Sequence, residues 1–193
     1  LTAFPNAAFL RADANLGRLR ITNLRGDTDG DGDFDELYSF GARSFSIWTT
    51  EGRLIFDSGS AFERITAAAV PAVFNSNGDS PATFDTRSDD KGPEPEGVTL
   101  GKVAGRTYAF VGLERTGGIM TFDVSNPHAP VFAAYNHSFG GGVATGDISP
   151  EGLVFVSADD SPNDRPLLIV SHEISGTVTI YEISKGPSRG WPK

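Results

Sequence analysis

The 193 residues carry 25 acidic and 16 basic side chains, a formal charge of −9, and no cysteine. This length suffices for one domain with a sizeable core. The absence of a basic stripe argues against a nucleic-acid partner, and the absence of thiols excludes disulfides and thiolate metal sites. No apolar run approaches the ~18 residues a membrane span needs, and no signal-peptide pattern is readable. A start at Leu1 rather than Met is what a processed or excised piece of a longer protein would show.

Taken in chain order, Gly17–Thr22 alternates polar and apolar residues and predicts a strand. It leads into Gly26-Asp27-Thr28-Asp29-Gly30-Asp31-Gly32-Asp33-Phe34-Asp35-Glu36, which holds six of the 25 acids. Carboxylates so close together repel one another unless a cation sits among them, and hard oxygen ligands select Ca²⁺ or Mg²⁺. Against the calcium-loop template D-x-[DN]-x-[DN]-G, Asp27, Asp29 and Asp31 take positions 1, 3 and 5, Gly32 position 6 and Asp35 position 9. Position 12 is Tyr38 instead of Glu, and no helix pattern flanks the loop. The expectation is an EF-hand-like loop joining strands. It holds one Ca²⁺ through Asp27, Asp29, Asp31 and Asp35, with Asp33 or Glu36 completing the shell; a solvated acidic turn is the alternative. A loop with imperfect ligands suits millimolar calcium, hence an extracellular, periplasmic or cell-surface location.

Residues 44–48 and 53–56 alternate on either side of Thr50-Glu51-Gly52 and predict a hairpin. Residues 61–70 predict a short helix ended by Pro71. From Phe74 to Gly97 the chain turns to Asn, Asp, Ser, Gly and Pro, a long irregular loop on the same domain with no boundary. Strand signals follow at 98–101, 107–113, 119–124, 131–135, 152–157, 166–171 and 177–183, so the chain is all-β. The run Phe139-Gly140-Gly141-Gly142-Val143 lacks the Lys and Ser/Thr of a phosphate-binding loop and predicts a flexible connection.

An internal repeat sets the expected architecture. Arg106–Ser125 aligns without gaps on Arg165–Ser184, an offset of 59 residues, and Pro95-Glu96-Gly97-Val98 matches Pro150-Glu151-Gly152-Leu153 at an offset of 55. Repeat units near 95–125 and 150–184 fit propeller blades of about four antiparallel strands. At that period the chain supplies about three blades where rings close with roughly four to eight. Its expected partner is therefore the remainder of a larger propeller, on missing N-terminal blades or on another chain.

The acidic loop with Tyr38–Trp48, Gly92–Val98, Val111–Arg115, Phe122–Pro127, Ser149–Leu153 and His172–Val178 together resemble the choice-of-anchor I family of secreted bacterial β-propeller proteins. Its relatives include mesenchyme-specific cell-surface glycoproteins of biomineralising animals and proteins described as atypical alkaline phosphatases. The resemblance spans essentially the whole chain, as the C-terminal portion of a longer member.

Each full repeat carries two glutamates at equivalent places: Glu96 and Glu151 between Pro and Gly, and Glu114 and Glu173 at a strand end. Around a propeller axis either pair could contribute to a carboxylate ring that binds a second divalent metal. Repeated Pro-Glu-Gly is equally a turn that the blade needs. Arg115, which has no counterpart in the second repeat, could clamp an anion in bidentate fashion, and His172 beside Glu173 could act as ligand or general acid. The resemblance suggests phosphate as that anion. Two readings stay open: a metal-dependent phosphomonoesterase acting on a phosphate ester, and a non-catalytic calcium-binding scaffold at a cell surface or mineral.

Overall fold

The computed structural model describes residues 3–41, 43–78, 80–140, 143–144 and 146–184. A single helical turn, α1 (Ala7–Leu10), precedes the hairpin β1 (Ser46–Trp48) and β2 (Leu54–Asp57) and the helix α2 (Ala61–Ala69). A four-stranded antiparallel meander follows: β3 (Pro95–Val103), β4 (Arg106–Leu113), β5 (Ile119–Asp123) and β6 (Val131–Asn136). After a two-residue ladder of β7 (Phe139–Gly140) and β8 (Val143–Ala144) comes a three-stranded meander, β9 (Pro150–Val156), β10 (Leu167–His172) and β11 (Thr177–Glu182). All pairings are antiparallel. The protein is all-β, with every expected strand from 98 onwards present.

Local chemistry explains the elements. Pro71 closes α2, whose Phe62, Ile65 and Thr66 share the one buried face at helical spacing. The β3–β4 turn is Ala104-Gly105 with φ +50° and +82°, the double-positive geometry whose twist matches a tight hairpin.

The first meander has apolar residues on both faces and is covered on both. Val111, Leu113, Met120 and Phe122 face Phe62 and Ile65 of α2 and Phe45 beside β1. Phe122 lies 4.9 Å from the Phe45 ring and 5.6 Å from Phe62. On the opposite face Phe110 and Ile119 meet Leu168 and Val170 of the second meander, with Phe110 stacked on Phe155 at 6.0 Å. Two glycines permit this approach. A Cβ at Gly101 would lie 2.3 Å from the Phe155 ring, and one at Gly97 would lie 2.4 Å from the Glu151 carbonyl oxygen. Gly97, of the first Pro-Glu-Gly, is thus required by sheet-to-sheet contact.

Two expectations need correction. Gly17–Thr22 contributes only the bridge Ile21↔Ser39 and no strand. Phe139, Gly140 and Val143, expected in a flexible connection, join Ala144 in the short ladder Phe139↔Ala144 and Gly140↔Val143. Among the described residues the first repeat supplies four strands and the second three, and no ring closes. Val154, Val178 and Ile180 stand exposed on the outer face of the second sheet.

Gly97→Ala should destabilise the protein by about 1–3 kcal/mol, because the new methyl meets backbone that cannot swing away. Chemical denaturation of the variant against the wild type checks this.

Candidate functional site

The acidic loop is closed by Gly26, whose carbonyl accepts the amides of Asp35 (2.7 Å) and Glu36 (3.0 Å). Gly26, Gly30 and Gly32 hold φ of +119°, +81° and +94°, a left-handed backbone that side chains disfavour. These turns aim amides inward. Asp27 accepts from Gly30 N–H at 2.6 Å and Gly32 N–H at 3.1 Å. Asp35 Oδ2 accepts both the amide and the hydroxyl of Thr28, at 2.9 and 2.7 Å. The Thr28 hydroxyl, then its amide, hold the Asp35 carboxyl below its ordinary range.

Asp27, Asp29 and Asp35 each place a carboxylate oxygen within 4.8 Å of the others. Asp31 instead accepts the Asp33 amide at 3.0 Å, and Glu36 accepts the Tyr38 hydroxyl. Asp31, Asp33 and Glu36 lie outside the trio. An all-oxygen trio with spare lone pairs and an open side fits a hard cation that keeps several waters.

The second cluster grows from the repeat. Glu94 and Ser149, the residues preceding the two Pro-Glu-Gly segments, both take positive φ, +51° and +60°. Their carbonyls accept the amides of Glu114 and Glu173, each at 2.9 Å. The backbone device is the same in both sheets, but the side chains differ. Glu94 is 4% exposed and gathers three cations: Arg87, Lys91 at 2.8 Å and Arg115 at 3.1 Å. Burial alone would raise its carboxyl. The Lys91 hydrogen bond, the Arg87 and Lys91 charges and the Arg115 bond outweigh burial and hold it below the ordinary value.

Glu96 and Glu114 join Glu94 within 4.8 Å. Glu114 is buried, and burial, followed by its hydrogen bond to Glu96, pushes it up to about 8 although Arg115 lies 2.6 Å away. The arginine's pull is divided between Glu94 and Glu114, so desolvation wins and Glu114 is a proton donor at neutral pH. Glu151 and Glu173 are exposed and stand outside this group of three. Arg115 is engaged by two carboxylates. His172 is 5% exposed with both ring nitrogens unpartnered, and burial lowers its pKa despite Asp147, so the imidazole is neutral. It occupies the place of Leu113 in the first repeat. Glu94 escaped the motif reading, although the repeat alignment extends one residue upstream to pair it with Ser149.

These features define an all-β protein of stacked antiparallel meanders with an oxygen-rich loop at its N-terminal side. The family described as Choice-of-anchor I domain matches residues 1–127, and the chain belongs to the choice-of-anchor I family. It is 32% identical to Gigasin-3a of Magallana gigas over 191 residues, covering 90% of this chain and 66% of that protein. It is 27% identical to the mesenchyme-specific cell surface glycoprotein of Strongylocentrotus purpuratus over 168 residues, covering 80% of this chain and 19% of that protein. The chain thus spans only part of either relative. No solved structure matches.

Glu114 makes stability depend on pH. With a native pKa of about 8 against an ordinary 4.5, the native state keeps a proton that the unfolded chain has released across that window. Its contribution to stability is full below the unfolded pKa and is lost as pH rises towards 8. Glu114→Gln, which mimics the protonated acid, should match the wild type near pH ~5 and exceed it near pH ~9 in denaturation midpoint.

Proposed function

We propose that this chain is a calcium-binding, non-catalytic scaffold portion of an extracellular cell-surface β-propeller, in which Asp27, Asp29 and Asp35 bind one Ca²⁺. The convergence of those three carboxylates carries the reading. The match of Asp27, Asp29, Gly32 and Asp35 to template positions 1, 3, 6 and 9 supports it. The name of one relative, a cell surface glycoprotein, supports the location. Exposed Val154, Val178 and Ile180 support a partner that is the remainder of the propeller, since such an apolar sheet face calls for a cover.

When bound, the ion would offset the repulsion among the three carboxylates and fix the loop. The chain's own residues pre-shape it: the Gly30 and Gly32 amides orient Asp27, and Thr28 orients Asp35. The phosphomonoesterase reading has less support. Arg115 is committed to Glu94 and Glu114, His172 is buried and neutral, and the repeated glutamates do not assemble as one set across the two sheets. A second divalent metal would have to displace the cations already seated on Glu94.

Thermal unfolding in millimolar Ca²⁺ and in excess chelator tests the proposal. With free ion at about ten times its Kd, binding adds about 1.4 kcal/mol, a rise of a few degrees in Tm, and Asp29→Ala should abolish the response. A wild type that melts identically in both buffers would refute calcium binding.

A further inference from the structure

Alternate residues of β10, namely Leu168, Val170 and His172, are buried in one row on the face that meets the first sheet. Phe110 and Ile119 of the first sheet pack on Leu168 and Val170. At an offset of 59 the same row of β4 is Ala109, Val111 and Leu113, buried and apolar throughout. The second sheet therefore places an ionisable ring where the first has a leucine. Both nitrogens of that ring lack a partner, and so does the buried hydroxyl of Ser149 just before β9. A leucine in this place loses nothing on leaving water. A neutral imidazole forfeits its hydrogen bonds, and an imidazolium would forfeit far more.

The surrounding elements bring one charge to bear on the ring. β9 sets Pro150 opposite His172, and β11 sets Thr177 opposite it. The crossover into β9 contributes Asp147, the charged group that acts on the imidazole among the described residues. Its carboxylate is already engaged, by the Thr177 hydroxyl at 2.6 Å and by the Thr179 hydroxyl. These two bonds, Thr177 first, hold Asp147 below its ordinary range, so it stays ionised in mild acid. They also seat the crossover, together with the Ser138 hydroxyl on the Asp147 carbonyl and the Ile148 amide on Ser175 Oγ. At the end of the first sheet Arg115 is held by Glu94 and Glu114, and Glu173, next to His172 in the chain, is exposed.

We propose that His172 is an acid-sensitive latch between the two meanders. Neutral, it fills the sheet interface as Leu113 fills the core of the first repeat. Charged, it must leave that interface or draw Asp147 away from Thr177 and Thr179, and either course opens the end of the second meander. Burial holds the ring below its ordinary value of 6.5. The native state thus refuses a proton that the unfolded chain accepts. The contribution of His172 to stability is full above 6.5 and is lost as pH falls from there towards the lower native value. Glu114 moves whole-chain stability the other way over the same range, so a variant that cannot charge at 172 is what isolates the ring.

Histidine-labelled NMR and hydrogen exchange on the full chain, between pH ~7 and ~5 at one free Ca²⁺ concentration, test this together. Of the three histidine signals, the one absent from His172→Leu should still report a mostly neutral ring at pH ~6. Protection of the β10 and β11 amides, taken relative to β4, should fall about tenfold over that range in the wild type and stay within about twofold in His172→Leu. Should the leucine variant fail to fold, His172→Gln, which keeps a polar side chain that cannot charge, serves the same comparison. A ring that titrates at or above its ordinary value, unchanged protection in the wild type, an equal loss in the variant, or a loss shared by both sheets would each overturn the proposal.

Discussion

A buried carboxylate ringed by three cations is the constraint on which the rest of this structure turns. Glu94 sits where the irregular chain enters the first sheet, with its backbone in a left-handed conformation that only surrounding contacts can hold. Its carbonyl fixes the Glu114 amide. Its carboxylate draws in Arg87 and Lys91 from the preceding strandless segment and Arg115 from the β4–β5 turn. One side chain thereby ties about twenty residues without strand structure to a sheet that packs on both faces. Such a charge is tolerable inside only because it is fully paired; with any one partner gone, the desolvation cost would return.

The comparison between the two repeats separates architecture from chemistry. Positive φ before Pro-Glu-Gly, the carbonyl-to-amide bond across the strand pair, and the arginine–acid pair between the second and third strands of each meander recur in both sheets. Glu94, Leu113 and Arg115 do not recur; Ser149, His172 and Ile174 stand in their places. A ring of equivalent carboxylates around an axis would need repeated acids to converge from successive sheets. The acids that converge are Glu94, Glu96 and Glu114 of one sheet, and the cations among them make an ion-pair anchor. A scaffold role follows more readily from this than catalysis does.

The strands and the packing of successive meanders were legible because period-2 alternation and a gapless repeat report burial directly. The acidic loop was legible as a motif, but which carboxylates converge was not. Asp31 fits template position 5 yet turns to the Asp33 amide, because the left-handed turns at Gly30 and Gly32 decide where each side chain points. Glu94 hid within a stretch that reads as irregular, since its partners Arg87 and Lys91 lie in that same stretch and declare themselves only in three dimensions. Gly97, of the first Pro-Glu-Gly, reads as a turn residue, whereas contact with Glu151 is what requires it.

Hydrogen exchange on Glu94→Gln tests most directly whether this carboxylate anchors the irregular segment. The amides of Asp85, Arg87 and Gly92, bonded to the carbonyls of Phe74, Asn75 and Arg87, report on that segment. Loss of the charge should weaken the anchor by on the order of 3 kcal/mol. Exchange at those three amides should then accelerate by up to about a hundredfold, while the central amides of β4 and β10 keep their wild-type rates. Equal protection of the three amides in both proteins, or a uniform loss through both sheets, would contradict the account.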